Sequence, residues 1–303
     1  MITRSRRAVI WAKCNIDFAD GGRSLKVIGI GDNVVDDYAH IRTMFPGGNA
    51  LNFSVYASML GCESAYLGVF GNDVAAGHVQ RTLADIGVDS SHCRRADGPN
   101  GRAILTIEHG ERVFMSSNQG GVSKSVPMEF IFDDLDYLQT FSIMHTSAYS
   151  YLDDQLARMQ SLNPLVSYDF SDDFDAEHAL TLCRYVDVGF FSCARWAEEA
   201  TMDLLKKAVS RGCTLAVATR GPHEAILFDG HSWFRRIPST VTPTDTLGAG
   251  DAFITGFLVS YVGGKGDTSA RPALLIESSL ERAASFAAEI CQMQGAFGHG
   301  LRY

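Results

Sequence analysis

The 303-residue sequence lacks the features that mark membrane, disulfide-bonded and nucleic-acid-binding proteins. No run of 18 apolar residues is present, so no transmembrane helix is expected. Seven dispersed cysteines form no C-x-x-C pair, which favours reduced thiols in a cytoplasmic protein over a disulfide framework or a zinc site. Basic residues form no run outside residues 4–7, and the net charge is −9. Binding to nucleic acid or to a membrane is therefore not expected.

Two common nucleotide-binding motifs are also incomplete. The loop at residues 263–267 is not a Walker A motif, because Lys265 is followed by glycine and the spacing does not fit. The G-x-G at Gly29 and Gly31 does not complete the dinucleotide fingerprint, because Val34 stands where the third glycine is required. Neither motif therefore assigns a nucleotide site.

The composition is that of an ordinary globular protein, with 46% hydrophobic and 20% charged residues. The length fits one large domain, or one domain with a small appendage. Residues 1–24 are interpreted as a loosely attached extension or the product of a start placed too early, and the ordered domain is expected to begin near Leu25. Alternating strand and helix patterns predict a mostly parallel, doubly wound α/β sheet flanked by helices.

The most informative stretch lies at residues 244–253 and contains three small residues, Gly248, Ala249 and Gly250, directly before Asp251. An apolar helical pattern follows, so the small residues are expected at a helix N-terminus. Backbone amides at such a position favour an anion, and glycines let a phosphate approach closely. Asp251 beside that anion can accept a proton from an attacking hydroxyl. A glycine-rich turn with Asp251 as a helix-start acid is the alternative.

A second polar cluster is predicted near the N-terminus. Asp32 and Asp36 directly follow the first buried strand, at the sheet edge where open α/β proteins bind ligands. Gly48 precedes Asn49, the expected N-cap of a helix, and Asn52 lies one turn further on. Carboxylate and amide groups in this arrangement suit the hydroxyls of a sugar, although a polar turn and a capping Asn would also explain them.

The motifs G-D-x-x-x-D, P-G-G-N-A-x-N and T-x-G-A-G-D occur in this order between residues 31 and 251. In order and spacing they resemble the PfkB/ribokinase family of carbohydrate kinases, over roughly residues 25–297. The N-terminal motifs are most similar to those of fructoselysine 6-kinases. The resemblance implies a ribokinase-like domain at residues 25–303, with a small β-sheet lid from strands near 36–43 and 102–116. Such a lid covers the sugar and often mediates a homodimer.

The resemblance also implies a reaction, the ATP-dependent phosphorylation of a primary hydroxyl of a sugar or fructosamine, with Mg²⁺ as cofactor. Asp251 would be the general base, and the amides of Gly248, Ala249 and Gly250 would form the anion hole. The sugar or sugar-amine would bind at Asp32, Asp36, Gly48, Asn49 and Asn52. The nucleotide phosphates would lie by Thr219, Arg220, Gly221 and Thr246. No metal ligand is assigned.

One position departs from the family pattern. Where family members carry N-x-x-E, this chain has Ser192 and Arg195. Altered metal handling, a displaced acid such as Glu198, or a weakened enzyme would each explain the change. A ribokinase or fructokinase, a nucleoside kinase, and a non-catalytic sugar-binding relative therefore stay open as alternative functions. The sequence leaves the roles of three further residues open. His145 and Phe114 could each contact the substrate or be structural. Asp169 is a candidate for electrostatic effects near the phosphate or the metal.

Overall fold

The computed structural model describes residues 24–108, 111–265 and 271–303. The predicted extension at residues 1–24 lies outside them apart from Ser24. Within the described residues, no helix combines the length and the apolar character that a membrane crossing requires.

Fourteen strands lie in the described residues. They are β1 Lys26–Gly31, β2 Val34–Tyr38, β3 Thr43–Gly47, β4 Glu63–Phe70, β5 Arg94–Arg95, β6 Gly101–Glu108, β7 Glu111–Ser117, β8 Ile143–Ser147, β9 Leu165–Asp169, β10 Val188–Ser192, β11 Leu215–Thr219, β12 Ala225–Phe228, β13 Trp233–Arg236 and β14 Leu301–Arg302.

Eight α-helices connect and cover these strands in the described part of the chain. They are α1 Asn49–Met59, α2 Val74–Ile86, α3 Leu135–Gln139, α4 Leu156–Gln160, α5 Ala176–Leu182, α6 Glu198–Arg211, α7 Ala249–Gly264 and α8 Pro272–Ile290.

Nine strands form the main sheet, in the order β13-β12-β11-β10-β9-β8-β1-β4-β5. Neighbouring strands from β11 to β5 are parallel, and β12 and β13 are antiparallel at one edge. Parallel order brings the carboxyl ends of β1, β8, β9, β10 and β11 to one edge of the sheet. Every residue predicted to follow one of these strands therefore meets the same surface.

Helices cover both faces of the main sheet. Successive strand residues point to opposite sides, and apolar residues on both sides pack against helices. Val27 packs into the core formed with α1, α2, α7 and α8, whereas its neighbour Ile28 packs into the core formed with α4, α5 and α6. The helix α7 is apolar nearly all round, and residues 252–259 are all buried. Its N-terminus is therefore held firmly at the carboxyl edge of the sheet.

A second, five-stranded sheet has the order β14-β3-β2-β6-β7. We call this sheet the lid. Its strands lie near the predicted segments 36–43 and 102–116, but it also contains β3 and the C-terminal strand β14. The lid is joined to the loop before α7, because the Tyr38 hydroxyl donates to the Asp245 carboxylate, which also accepts from the Gly295 amide at 3.0 Å. The hydroxyl of Tyr303 and the guanidinium of Arg102 both bind the buried Asp37 carboxylate.

Candidate active site

Two clefts meet at the N-terminus of α7. The first, which we call the acidic cleft, has a volume of about 750 Å³ and lies between the lid and the carboxyl edge of the main sheet. The second, the apolar cleft, has a volume of about 510 Å³ and lies between α7, α8 and the end of β11. Gly250 lines both clefts. A ligand in each cleft would therefore approach the other at the first turn of α7.

Asp251 lies at this junction and is held by two amides. Its Oδ1 accepts a hydrogen bond from Asn49 Nδ2 at 2.8 Å, and its Oδ2 accepts one from Asn52 Nδ2 at 2.6 Å. Asn49 Nδ2 also donates to Asp169 Oδ2 at 2.6 Å. The two predicted sugar-binding asparagines line the acidic cleft and also orient the predicted base.

A buried histidine fixes the orientation of Asn49. His145 Nε2 lies 3.0 Å from Asn49 Oδ1, which can only accept, so Nε2 carries the proton. His145 Nδ1 then accepts from Ser167 Oγ at 3.0 Å. Burial lowers the pKa of His145 to about 3, so the ring is neutral. His145 does not line the acidic cleft, and its role is positioning of the Asn49 amide group toward the carboxylates.

Burial and neighbouring charges raise the pKa of two aspartates in the acidic cleft. Burial raises the pKa of Asp251 well above the ordinary carboxyl value, the hydrogen bond from Asn52 opposes that effect, and the charges of Asp169, Asp32 and Asp36 add to it. Burial likewise raises the pKa of Asp169 to about 6. Asp251 is therefore a stronger base than an exposed carboxylate once it is deprotonated.

Asp32 borders the acidic cleft, but its oxygens bind the protein. Its Oδ2 accepts a hydrogen bond from the backbone N–H of Asn49 at 2.7 Å. Its Oδ1 accepts hydrogen bonds from the backbone N–H of Ala50 at 3.1 Å and from Ser150 Oγ at 2.9 Å. The prediction that Asn49 is the N-cap of α1 is wrong: the N-cap is Gly48, at φ 112°, and it has no capping side chain. The carboxylate of Asp32 satisfies the helix amides instead.

The lid supplies the opposite wall of the acidic cleft. Asp36 projects from β2 beside Val34, and Ala103 and Phe114 line the wall from β6 and β7. A Cβ on Gly47 would lie 2.3 Å from Asp36 Oδ2, so only glycine allows this carboxylate its position. Phe114 is 62% exposed and borders the cleft, which places it toward a ligand and not in the interior of the lid.

The predicted anion hole is arranged differently from the expectation at one residue. Gly248 is the N-cap of α7 with φ 76°, a conformation that favours glycine. The Ala249 amide donates to the Thr246 carbonyl at 3.3 Å, so this amide, unlike those of Gly248 and Gly250, already has a backbone partner, although Ala249 lines the apolar cleft. Within the described residues, no backbone carbonyl accepts from the amides of Gly248, Gly250 or Asp251. These three residues line the acidic cleft, and amides at a helix N-terminus favour an anion.

The apolar cleft contains all four residues predicted to lie near the nucleotide. Thr219, Arg220 and Gly221 line it from the end of β11, and Thr246 lines it from the loop before α7. Alanines of α8 form its apolar floor. The Arg220 side chain is only 12% exposed and binds Glu198 at 3.3 Å, while its Nε is buried without a partner in the described residues.

The prediction did not include Arg236, the last residue of β13. It lines the apolar cleft, binds Glu281 at 3.1 Å and, like Arg220, has a buried Nε with no partner among the described residues. Buried donors normally have an acceptor, so both Nε groups suit an anionic ligand. The sequence offered no signal for Arg236, because its approach to the cleft depends on the pairing of β12 with β13.

The residues that stand in place of the N-x-x-E motif lie in different surroundings. Ser192 ends β10 and lines the acidic cleft. Arg195 is 82% exposed and pairs with Asp172 at 3.1 Å, so it lies at the surface. Glu198 binds both Arg220 and Arg235 and therefore acts as an anchor for the arginine of the apolar cleft. Within the described residues, no group of three or more His, Cys, Asp or Glu side chains is arranged to hold a metal ion.

Comparison with known proteins identifies the family. The model for the pfkB family carbohydrate kinase matches residues 6–298. The chain is 39% identical over 280 residues to the fructosamine kinase FrlD of Bacillus subtilis (strain 168), covering 92% of this chain and 95% of that relative. The chain belongs to the pfkB family of carbohydrate kinases. It is also 31% identical over 271 residues to a fructoselysine 6-kinase of Escherichia coli (strain K12), covering 88% of this chain and 98% of the relative.

Solved structures confirm the predicted ribokinase-like fold of this pfkB family member. A fructokinase with bound ATP from Xylella fastidiosa aligns with a TM-score of 0.74 and 19% identity, over 90% of this chain and 94% of that chain. A ribokinase of Arabidopsis thaliana, complexed with ribose and ATP, aligns with a TM-score of 0.74 and 18% identity, over 92% and 96%. The predicted doubly wound sheet with a small sheet lid is thus confirmed.

Proposed function

We propose that this carbohydrate kinase transfers the γ-phosphoryl group of ATP to a primary hydroxyl of a fructosamine. The observation that carries the proposal is the meeting of the two clefts at Gly250, beside Asp251. A hydroxyl in the acidic cleft reaches the carboxylate while a phosphate from the apolar cleft reaches the amides of α7. Both curated relatives described above bear names of fructosamine or fructoselysine kinases, which supports the substrate class.

In this proposal Asp251 accepts the proton of the attacking hydroxyl. Asn49 and Asn52 hold its two oxygens in place, and burial among carboxylates raises its basicity. The amides of Gly248 and Gly250 stabilise the charge that develops on the transferring phosphoryl group. Because little covalent chemistry is required of the protein, positioning and electrostatics account for the rate.

The charge of the acidic cleft supports an amine-bearing sugar. Asp32, Asp36, Asp169 and Asp251 line one cavity, so a cationic ligand is favoured over a neutral one. Asn52 Oδ1 is buried and has no hydrogen-bond partner in the described residues. It is an acceptor suited to a substrate hydroxyl.

ATP would occupy the apolar cleft, with its adenine against the alanines of α8 and its phosphates near Arg220 and Arg236. Mg²⁺ would offset the charge of the phosphates. Asp169 and Asp251, which line the acidic cleft, would hold the ion largely through water, since Mg²⁺ releases its water reluctantly and needs few protein ligands. We further propose that the protein is cytoplasmic and that it forms a homodimer through the lid. The exposed side chains of β7 support the dimer.

The proposal is tested by a coupled ATPase assay with Mg²⁺ over a panel of fructoselysine, fructose, ribose and a nucleoside. We expect kcat/KM for fructoselysine to exceed that for the other three at least tenfold. Preferred turnover of ribose or the nucleoside would contradict the substrate class. Binding of sugars without turnover of any panel member would instead indicate a non-catalytic relative.

A further inference from the structure

Backbone strain is concentrated at the outer end of the acidic cleft. Five non-glycine residues of the described chain have positive φ, and three of them line this cleft: Gln119 at 54°, Tyr151 at 56° and Ser171 at 62°. Such conformations are uncommon outside glycine, cost free energy and persist where the surrounding structure fixes them. Their grouping at one cleft points to a constructed site and not to ordinary loop variation.

Hydrogen bonds tie these strained residues to their neighbours. The Tyr151 hydroxyl donates to the Gln119 carbonyl at 3.1 Å, and Lys124 Nζ donates to Gln119 Oε1. Ser171 Oγ donates to the Tyr149 hydroxyl oxygen at 2.9 Å. Three separate segments thus form one structure, which we call the outer rim: Gln119, Lys124, Tyr149, Tyr151 and Ser171.

The outer rim has a charge opposite to that of the inner wall. Among the described residues that line the acidic cleft, Lys124 is the one Lys or Arg, and the inner wall holds four aspartates. Lys124 Nζ lies 6.0 Å from the centre of the Tyr151 ring. An ammonium group has three donor hydrogens, so its bond to Gln119 leaves donors for a second acceptor. The half-exposed rings of Tyr149 and Tyr151 add apolar surface beside this charge.

We propose that the outer rim binds the amino-acid part of the substrate and that Lys124 binds its carboxylate. This inference rests on the proposed function. A fructosamine that presents its terminal hydroxyl to Asp251 directs its opposite, amine-bearing end away from α7, toward the cleft mouth. An amino-acid substituent there carries an apolar stem and a carboxylate, which match the tyrosine rings and the ammonium group of Lys124.

The test compares two substrates that differ in one charge, fructosylated 6-aminohexanoate and its terminal amide. We expect wild-type kcat/KM to favour the carboxylate roughly three- to tenfold, through KM, as one partly exposed charge-assisted hydrogen bond provides. Lys124→Met reduces that ratio to about one, and Lys124→Arg restores part of it. Lys206→Met, which removes an exposed lysine of α6 that does not line the acidic cleft, is the matched control and keeps the wild-type ratio.

A wild-type ratio of about one, or an unchanged ratio in Lys124→Met, would overturn the inference. Absence of turnover with both substrates would count against the proposed function instead. In that event, titration calorimetry with the same two compounds still decides the role of the rim. Equal affinities of wild type and Lys124→Met for the carboxylate compound would then refute it.

Discussion

The immediate neighbours of Asp251 determine the orientation and the pKa of its carboxylate. Asn49 and Asn52 hold its oxygens, and neutral His145 holds Asn49 in turn. Burial and the nearby charge of Asp169 keep its pKa raised. A hydrogen-bond chain and a charge cluster therefore determine both the direction and the basicity of one side chain.

The raised pKa of Asp251 predicts the acid limb of the pH profile. A general base acts only when deprotonated, so kcat/KM rises as pH increases through that raised pKa, above the range of an ordinary carboxyl group. Asp169→Asn removes a negative charge that raises the pKa of Asp251, so the limb moves to lower pH. The measurement is kcat/KM between pH 4.5 and 9.

Asp136→Asn is the control for this experiment, because Asp136 is an exposed acid of α3 outside both clefts. Its profile should match the wild type. A limb that moves to higher pH in Asp169→Asn would contradict the assigned charge interaction.

Part of this residue-scale arrangement follows from sequence. Asp251 and its glycines are adjacent in the chain, so a local motif predicted their association. The cap that Asp32 provides to α1 joins residues 17 positions apart, and His145 meets Asn49 across 96 positions. Contacts of this kind depend on which strands become neighbours, and residue types alone do not encode that choice.

At the scale of elements, the N-terminus of α7 contains two glycines with different roles. Gly248 has φ 76°, and a Cβ there would lie 2.2 Å from the Tyr56 hydroxyl oxygen. Gly250 has helical geometry, with no neighbour within 4 Å of an added Cβ. One glycine is required by the fold, whereas the other keeps the junction of the clefts open.

Alanine substitutions separate these roles. Gly248→Ala should lower the free energy of unfolding by about 1–3 kcal/mol, because of the positive φ and the clash. Gly250→Ala should leave it unchanged or raise it by up to about 1 kcal/mol. It should nevertheless raise KM for ATP, because the methyl group obstructs phosphate at the amides. Urea unfolding and steady-state kinetics measure both effects. A destabilised Gly250→Ala, or a fully stable Gly248→Ala, would contradict this assignment.

Not all strands of the lid could be predicted from the sequence. The family resemblance implied lid strands near residues 102–116, where β6 and β7 lie, but β14 has two residues and carries no periodic signal. Its place beside β3 depends on the path of the chain after α8. The Tyr38–Asp245 contact, 207 positions apart, was equally hidden, although it links the lid to the motif before α7.

At the scale of the whole molecule, the exposed edge strand of the lid predicts that two copies of the chain associate. The strand β7 is an edge strand, and Val113 and Met115 on it are exposed, the latter 61%. Proteins rarely leave an apolar edge strand uncovered. We expect a dimer by light scattering at micromolar concentration and a monomer for Met115→Lys. Leu274→Lys, at an exposed site of α8, is the control and should remain dimeric. A monomeric wild type would contradict the lid interface.

The overall fold was the most predictable level, because alternating apolar strands and amphipathic helices specify a parallel sheet regardless of side-chain detail. The carboxyl edge of that sheet then gathers Asp32, Asp169 and Thr219 from distant parts of the chain. Arg236 and the outer rim were not predictable, because the pairing of β12 with β13 places Arg236 and loop geometry places the outer rim.

The central claim is that Asp251 is the general base, and turnover of Asp251→Asn with ATP, Mg²⁺ and fructoselysine tests it most directly. The asparagine is nearly isosteric, is neutral and removes the basic oxygen, so we expect an unfolding free energy no lower than that of the wild type, unchanged ligand binding, and kcat lower by about 10²- to 10⁴-fold. A folded Asp251→Asn enzyme with kcat within about threefold of the wild type would contradict the claim.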